Sequence, residues 1–509
     1  MKQYSPFQGR RPSKSHLSLR RILCAAGLLC STGVYLPGQA TTDDSLTKQV
    51  QQLTEAMTRT QAQLEQSQRE LEQMRSQLAE LQQQMAQQGM NPVPSPAAEL
   101  SAAVDKVREQ QAIQQTQIAT HEQSKVESES KYPVKLSGLV LLSGFVNTRQ
   151  VDLPATPTVV MAGAGSTGAT IRQTVLGLDA RGPHLMNARS HADVRVDFDG
   201  DASPSAYTGG LLRLRTAHAA LQWNRTEAFF SLDRPIVSPN TPSSLTAVAV
   251  PALAWSGNLW TWNPQFGMTH DIAISTAERF RMQASLIDIA NPPALYSSNL
   301  APTGSYLAIP TTAEHSRWPG VEGRFALVRP EVERGLQIGV GGVFAPHRTG
   351  GGRKFNTWAG TLDYRLPLAK CVELSGSFYH GQALGGLGGG DYKDYIYRVD
   401  PDYPDIVYSR ALDSTGGWTQ FKARGGEHVE FNLAFGTDQV DAGQLRPYVG
   451  DATAIYLNLA RNSSYTANMI YSPSAYLLFS LEYRHMVSSP VNGSTASGDI
   501  IGIATGYRF

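Results

Sequence analysis

From residue 134 onward the chain repeats one pattern: apolar and polar side chains trade places at every second position. A period of two puts successive side chains on opposite faces of an extended backbone, so the pattern dictates strands with one apolar and one aqueous surface. The run 188–199 is the clearest. Ala188, Ser190, Ala192, Val194, Val196 and Phe198 share one face, and Arg189, His191, Asp193, Arg195, Asp197 and Asp199 share the other. Likewise Phe280, Met282, Ala284 and Leu286 alternate with Arg279, Arg281, Gln283 and Ser285. Near the end, Leu477, Phe479, Leu481 and Tyr483 alternate with Leu478, Ser480, Glu482 and Arg484. A soluble sandwich would alternate in the same way, so the pattern alone leaves core and lipid open. No apolar run of about eighteen residues follows the N-terminal leader, which excludes an ordinary spanning helix. A spanning strand needs only about ten residues, alternately apolar.

The connections separate the alternatives. The pattern predicts strands at 134–148, 168–181, 188–199, 211–223, 226–233, 265–275, 279–289, 320–328, 335–344, 355–366, 371–384, 417–425, 428–438, 459–471, 475–488 and 498–509. The gaps between them alternate. Asn224-Arg225, 276–278, 367–370, Gly426-Glu427 and 472–474 are short, whereas 149–167, 234–264, 290–319, 385–416 and 439–458 are long. Outer-membrane barrels sort their connections this way, into short periplasmic turns and long external loops, and an even strand count puts both barrel ends on the short-turn side. A sandwich has no reason to do so. In the last strand Ile501, Ile503, Thr505, Tyr507 and Phe509 share a face, and an apolar face edged by aromatics suits lipid and its interface. The expected fold class is an all-β transmembrane barrel of about sixteen antiparallel strands, spanning 134–509 and placed in a bacterial outer membrane. The 46 glycines suit a protein of many turns and closely packed strands.

What precedes the barrel has a different texture. Arg10, Arg11, Lys14, Arg20 and Arg21 lead into an apolar core, Ile22 to Leu36, and Gly38-Gln39-Ala40 offers small residues for cleavage. Residues 1–40 therefore read as a signal peptide, the apolar stretch being short for a signal anchor. Cys24 and Cys30 leave with it, and Cys371 alone can form no intrachain disulfide. Residues 41–90 read as a periplasmic α-helical coiled-coil stalk. Its seam, Leu46, Val50, Leu53, Met57, Thr60, Leu64, Ser67, Leu71, Met74, Leu78, Leu81 and Met85, steps by four and three, which keeps one stripe on a partner in a left-handed supercoil. Pro92, Pro94 and Pro96 break the helix, and 91–133 reads as a Pro-containing linker with a weaker helix.

Several stretches resemble the DcaP-like trimeric outer-membrane porin family. They are 135–142 (Lys135 to Leu142), 210–217 (Gly210 to Ala217), Pro251 to Trp262 with its three tryptophans, and Tyr476 to His485. A coiled coil before a barrel is also the family arrangement. The resemblance implies a sixteen-stranded homotrimer that takes up small anionic organic solutes, dicarboxylates among them. A terminal Phe with an aromatic two before it resembles the C-terminal strand signal of outer-membrane barrels, which implies that the barrel assembly machinery recognises Tyr507 and Phe509. The expected partners are thus outer-membrane lipid, further copies of the same chain, that machinery and small anions. No nucleic-acid partner is expected, because charged residues are 17% of the chain and the formal net charge is +1.

In a water-filled pore the lumen side chains supply the field, and low-dielectric walls concentrate it. Arg213 and Arg215 lie two apart on one strand and project from one face; Arg279 and Arg281 repeat the device, and Arg195 and Arg324 sit on polar faces. Arginine forks bind carboxylates through paired hydrogen bonds, so these six are the candidate pore-lining residues. The competing expectation is that they pair with lumen acids such as Asp193, Asp197, Glu227 and Glu322 and stiffen the wall. The segment 234–264 joins the fifth and sixth strands and is expected to narrow the channel. Ser238, Asn240, Thr241 and Ser243 offer polar groups there and Trp260 a large face, with Trp255 and Trp262 nearby; an external loop or an aromatic belt is the plainer alternative.

Other motifs are declined. Gly385 to Gly390 lacks the Lys-Ser and the helix of a phosphate cradle and reads as a flexible external loop. Asp391, Asp394, Asp400, Asp402 and Asp405 match no calcium-loop spacing and read as solvated acids. The eleven histidines show no pair at ligand spacing with a partner acid. No catalytic residue, cofactor or metal is expected. Two rival readings remain: an envelope spacer or adhesin in which the coiled coil is primary, and, more remotely, a barrel hydrolase drawing on His218, His270 or His380.

Overall fold

The structure, a computed structural model, describes residues 133–509 except 201–209, 294–309, 330–334, 404–406 and 450–454. The signal peptide, coiled coil and linker expected before residue 133 lie outside the described residues. The strands are β1 (Val134–Val151), β2 (Val160–Thr170), β3 (Val175–Leu185), β4 (Ala188–Asp197), β5 (Arg213–Gln222), β6 (Thr226–Asp233), β7 (Asn263–Ala273), β8 (Arg279–Ile287), β9 (Gly320–Val328), β10 (Gln337–Arg348), β11 (Lys354–Ala369), β12 (Val372–Gln382), β13 (Tyr395–Val399), β14 (Val407–Ala411), β15 (Asp413–Gly425), β16 (Val429–Val440), β17 (Leu459–Tyr471), β18 (Leu477–Pro490) and β19 (Ala496–Arg508).

All but β13 and β14 belong to one antiparallel sheet, and pairing of β1 with β19 closes it into a barrel. β2 pairs with the second half of β1 and β3 with its first half, so these two are halves of one stave interrupted at 171–174. The barrel therefore has sixteen staves, as the alternation predicts. The first connection differs from expectation. Residues 149–167 are largely strand, leaving only 152–159 as loop. β2 is almost all Gly, Ala, Ser and Thr, so it carries no apolar alternation; its place is set by the backbone ladder along β1. The hairpin β13–β14 likewise falls inside a stretch read as loop. The sorting of connections is also looser than expected, since 349–353 and 491–495 are short although they lie at the long-loop end. At the other end, Met186 and Asn187, both with positive φ (50° and 60°), make the tight turn between β3 and β4.

The wall is inside out relative to a soluble protein. Leu142, Phe230, Phe266, Val340, Leu433, Leu481 and Ile503 are exposed on the outer face. Asn147, Thr357, Asn432, Ser464, Asn468 and Glu482 are buried on the inner one. Apolar out and polar in is what hydrocarbon outside and water inside require, and the core of a sandwich would invert it. The apolar clusters that do lie inside are built where loops fold inward, around Leu259, Leu384 and Leu387, and around Trp255, Trp260 and Tyr392.

Candidate functional site in the barrel lumen

The connection between β6 and β7, residues 234–262, does not stay outside. Its polar groups bond to wall residues spread around the barrel. Asn240 Nδ2 donates to the Tyr364 carbonyl on β11 (3.2 Å), and Asn240 Oδ1 accepts from Arg365 (3.1 Å). The Ser243 amide donates to Gln420 on β15 (2.6 Å), and the Ser243 carbonyl accepts from Asn468 on β17 (2.8 Å). Ser244 Oγ donates to Glu482 on β18 (2.5 Å). The amides of Val248 and Ala249 donate to Gln173 Oε1, beside the break in the second stave, and the Ala249 carbonyl accepts from Arg213 on β5 (2.8 Å). The loop then lies against the inner face of the paired strands β15 and β16, where Asn462 of β17 holds the Trp255 carbonyl (2.9 Å). Gly257, at φ 98°, leaves no room for a side chain there: a Cβ would lie 2.1 Å from the Gly417 carbonyl. The segment thus crosses the interior from wall to wall.

Of the polar groups expected on this loop, Thr241 and Ser243 reach solvent, whereas Ser238, Asn240 and Trp260 are buried. Arg234 donates to Thr241 Oγ1. Trp260 packs edge-on to Trp255 and Trp262 (both interplanar angles 89°), and its amide donates to the Leu387 carbonyl (3.1 Å).

That last bond belongs to a second inward segment. Gly385 to Gly390 is buried, not a flexible external loop, and lies in two 3-10 turns, Gly385–Leu387 and Gly390–Tyr392. The glycines are used for contact: at Gly388 (φ 94°) a Cβ would lie 2.7 Å from the Trp260 ring. Asp391 and Asp394 are fully buried, contrary to the expectation of solvated acids; Asp400 is half-buried, Asp402 is exposed, and Asp405 lies outside the described residues. Asp391 accepts from the Val440 amide (3.2 Å), and its own amide donates to Asp438 (2.8 Å). Lys393 Nζ donates to the carbonyls of Asp391, Tyr456 and Leu459 (2.7, 2.9 and 2.6 Å). Burial raises Asp394 to about 7 and lowers Lys393 to about 8. Burial first, then the neighbouring Asp438, raise Asp391 as well. Tyr392 stacks between Trp255 (4.1 Å) and Tyr456 (4.2 Å), joining the two segments. Leu253, Trp255, Ala383, Asp391 and Tyr392 all have positive φ, a strain that only dense surrounding contacts sustain.

The six candidate arginines face inward, and each meets an acid. Arg213 forks onto Asp197 (3.0 and 2.7 Å), and Arg215 lies 3.5 Å from the same carboxylate. Both sit 5.1 Å from the Trp262 ring centre. Arg281 forks onto Asp271 (2.8 and 2.8 Å), with Arg279 at 3.6 Å. Arg195 meets Asp179 (2.5 Å) and Asp193 (3.7 Å). Arg324 forks onto Asp363 (2.7 and 2.7 Å). The wall is therefore a set of ion pairs in which Asp193 and Asp197 take the part considered for them. Glu322 instead accepts from Ser285 (2.7 Å), and Glu227 lies 3.7 Å from His218. Two places keep an excess of arginine: Arg172, Arg213 and Arg215 share Asp197 and Asp199, and Arg279 and Arg281 share Asp271. Exposure is graded along the lumen. Arg279 is 50% exposed and Arg281 33%, near the short-turn end, while Arg324 is 2% exposed at the level the loop occupies. The partners Asp179, Asp271 and Asp363, and the loop anchors Gln173, Gln420, Asn468 and Glu482, carry no sequence signal, because cross-strand register brings them into place.

No family model matches the chain, and no curated protein does. Among solved structures, the outer membrane channel DcaP of Acinetobacter baumannii is 15% identical, with 74% of this chain and 97% of that chain covered at a TM-score of 0.56. The anion-selective porin from Comamonas acidovorans is 10% identical over 74% and 100% (TM-score 0.45), and OprB of Pseudomonas putida is 10% identical over 74% and 94% (TM-score 0.43). The first likeness, at 15% identity, shows the fold alone: a closed antiparallel β-barrel like that of DcaP.

Proposed function

We propose that the chain is an outer-membrane porin through which small hydrophilic solutes diffuse, with small organic anions such as dicarboxylates favoured. The observation that carries this reading is a closed barrel, apolar outside and charged inside, crossed by one anchored loop. Segment 234–262 is the constriction. The anion preference rests on the places where cations outnumber the acids they pair with: Arg172, Arg213 and Arg215 on Asp197 and Asp199, Arg279 and Arg281 on Asp271, and Arg365, Lys422 and Arg424 on Glu373 and Glu430. A positive excess in a low-dielectric passage raises the local concentration of anions. In this reading the barrel sits in the outer membrane as a homotrimer, with the coiled coil in the periplasm and Tyr507 and Phe509 presented to the assembly machinery. In this reading it acts as a channel rather than a hydrolase.

Planar-bilayer recording tests it. Purified protein should form channels whose reversal potential in a salt gradient favours anions. Deleting 239–256 should raise single-channel conductance about twofold or more, and replacing Arg213 and Arg215 by Ala should shift selectivity toward cations. A protein lacking residues 44–90 should still conduct, which the spacer reading does not require. Absence of channels, or an unchanged conductance without the loop, contradicts the proposal.

A further inference from the structure

Three neighbouring strands bring together a donor set that no spacing in the sequence reveals. His191 on β4, His218 on β5 and Glu227 on β6 all face the lumen, and one ligand atom from each lies within 4.8 Å of the other two. His218 Nε2 stands 3.7 Å from Glu227 Oε1, and the two imidazole centres are 5.7 Å apart. The register explains the meeting. His191 pairs with Ala220, two residues beyond His218 on the same face. Ala219 pairs with Phe230 and Ala220 with Phe229, which sets Glu227 on the inward face two residues before Phe229. Phe229 stacks on His218 (5.5 Å, 24°) and holds its plane. Among the described residues none of the three side chains makes a hydrogen bond, so their lone pairs are uncommitted. No spacing in the sequence pairs these histidines with an acid; the register of three neighbouring strands does.

We propose that His191, His218 and Glu227 form a lumenal binding site for a divalent transition-metal ion, Zn2+ above all. Two imidazoles and a carboxylate select Zn2+, Cu2+ or Ni2+ over Mg2+ and Ca2+. Zinc bonds of about 2.0–2.1 Å place neighbouring ligands roughly 3.3 Å apart in a tetrahedron, so the triad needs only side-chain rotation to close on the ion. Three protein ligands leave one position open toward the lumen, for water or an anionic solute. Two neutral imidazoles, one carboxylate and a dication give the site a net positive charge. It would stand near Arg281, whose charge already acts on Glu227.

The test is equilibrium dialysis of Zn2+ against the purified full chain, free of any tag, in detergent at neutral pH. The inference does not require that the protein conduct. One ion per chain should bind at micromolar concentration and be retained in a large excess of Mg2+. His191→Ala, His218→Ala and Glu227→Gln should each weaken binding by more than about tenfold. Unweakened binding in the His191→Ala/His218→Ala double variant overturns the site. If the histidine variants do not fold, Co2+ bound to the wild-type chain decides: an intense tetrahedral visible spectrum supports the site, and the weak spectrum of the hydrated ion overturns it.

Discussion

Arg324 on β9 and Asp363 on β11 form a two-pronged pair although β10 runs between them. The gap exists because residue 339 is glycine: a Cβ there would lie 2.6 Å from both Arg324 Nη2 and Asp363 Oδ1. Gln283 and Gln337 complete the network (2.7 and 2.8 Å). Removing one partner of a buried pair strands the other charge, at about 3–5 kcal/mol. Asp363→Asn should therefore lower the thermal midpoint of the detergent-solubilised barrel, and Gly339→Val should do so by prising the pair apart. The double variant should lose less than the sum, because both act on one contact. Additive losses, or none, contradict this account of the wall. At this scale the sequence was half legible. Period two placed all six candidate arginines inside, but whether each was free or paired depends on residues such as Asp363 and Asp271 on other strands. Only register decides that, and the same holds for the triad of His191, His218 and Glu227.

Among the elements, strands were more legible than loops. A strand with unlike faces announces itself, as β8 and β18 do, whereas β2 is held by its backbone ladder and shows nothing in its side chains. The inward segments were the least legible, because glycine and aspartate are ordinary turn residues until a wall closes over them. Gly385 to Asp394 looked like solvated loop for that reason. Its burial has a consequence for pH. Burial raises Asp394 to about 7 and raises Asp391 too, so the folded segment holds their protons more tightly than an opened one. Packing of this segment should therefore strengthen as pH falls through about 7 and weaken above it. Lys393, lowered to about 8, is charged in both states below that value and adds no slope there. Hydrogen exchange of amides 385–394, corrected for intrinsic rates, should show greater protection at about pH 5.5 than at about pH 8. Asp394→Asn should remove much of the difference, and greater protection at the higher pH would contradict the assignment.

For the whole molecule, the proposed function follows from inversion: a cylinder of sixteen staves presents hydrocarbon-compatible side chains outward and ion pairs inward, with a loop anchored across its interior. β8 offers the most direct test, since Phe280 and Met282 are exposed on its outer face and Arg281 and Gln283 lie on its inner one. With Cys371, exposed on the barrel, replaced by Ser, single cysteines at 280, 281, 282 and 283 can be reacted in lipid vesicles. The inward pair should react with a small charged thiol reagent and the outward pair only with a lipid-soluble one. Equal reaction of all four with the charged reagent, or the reverse order, would contradict a water-filled barrel in a bilayer.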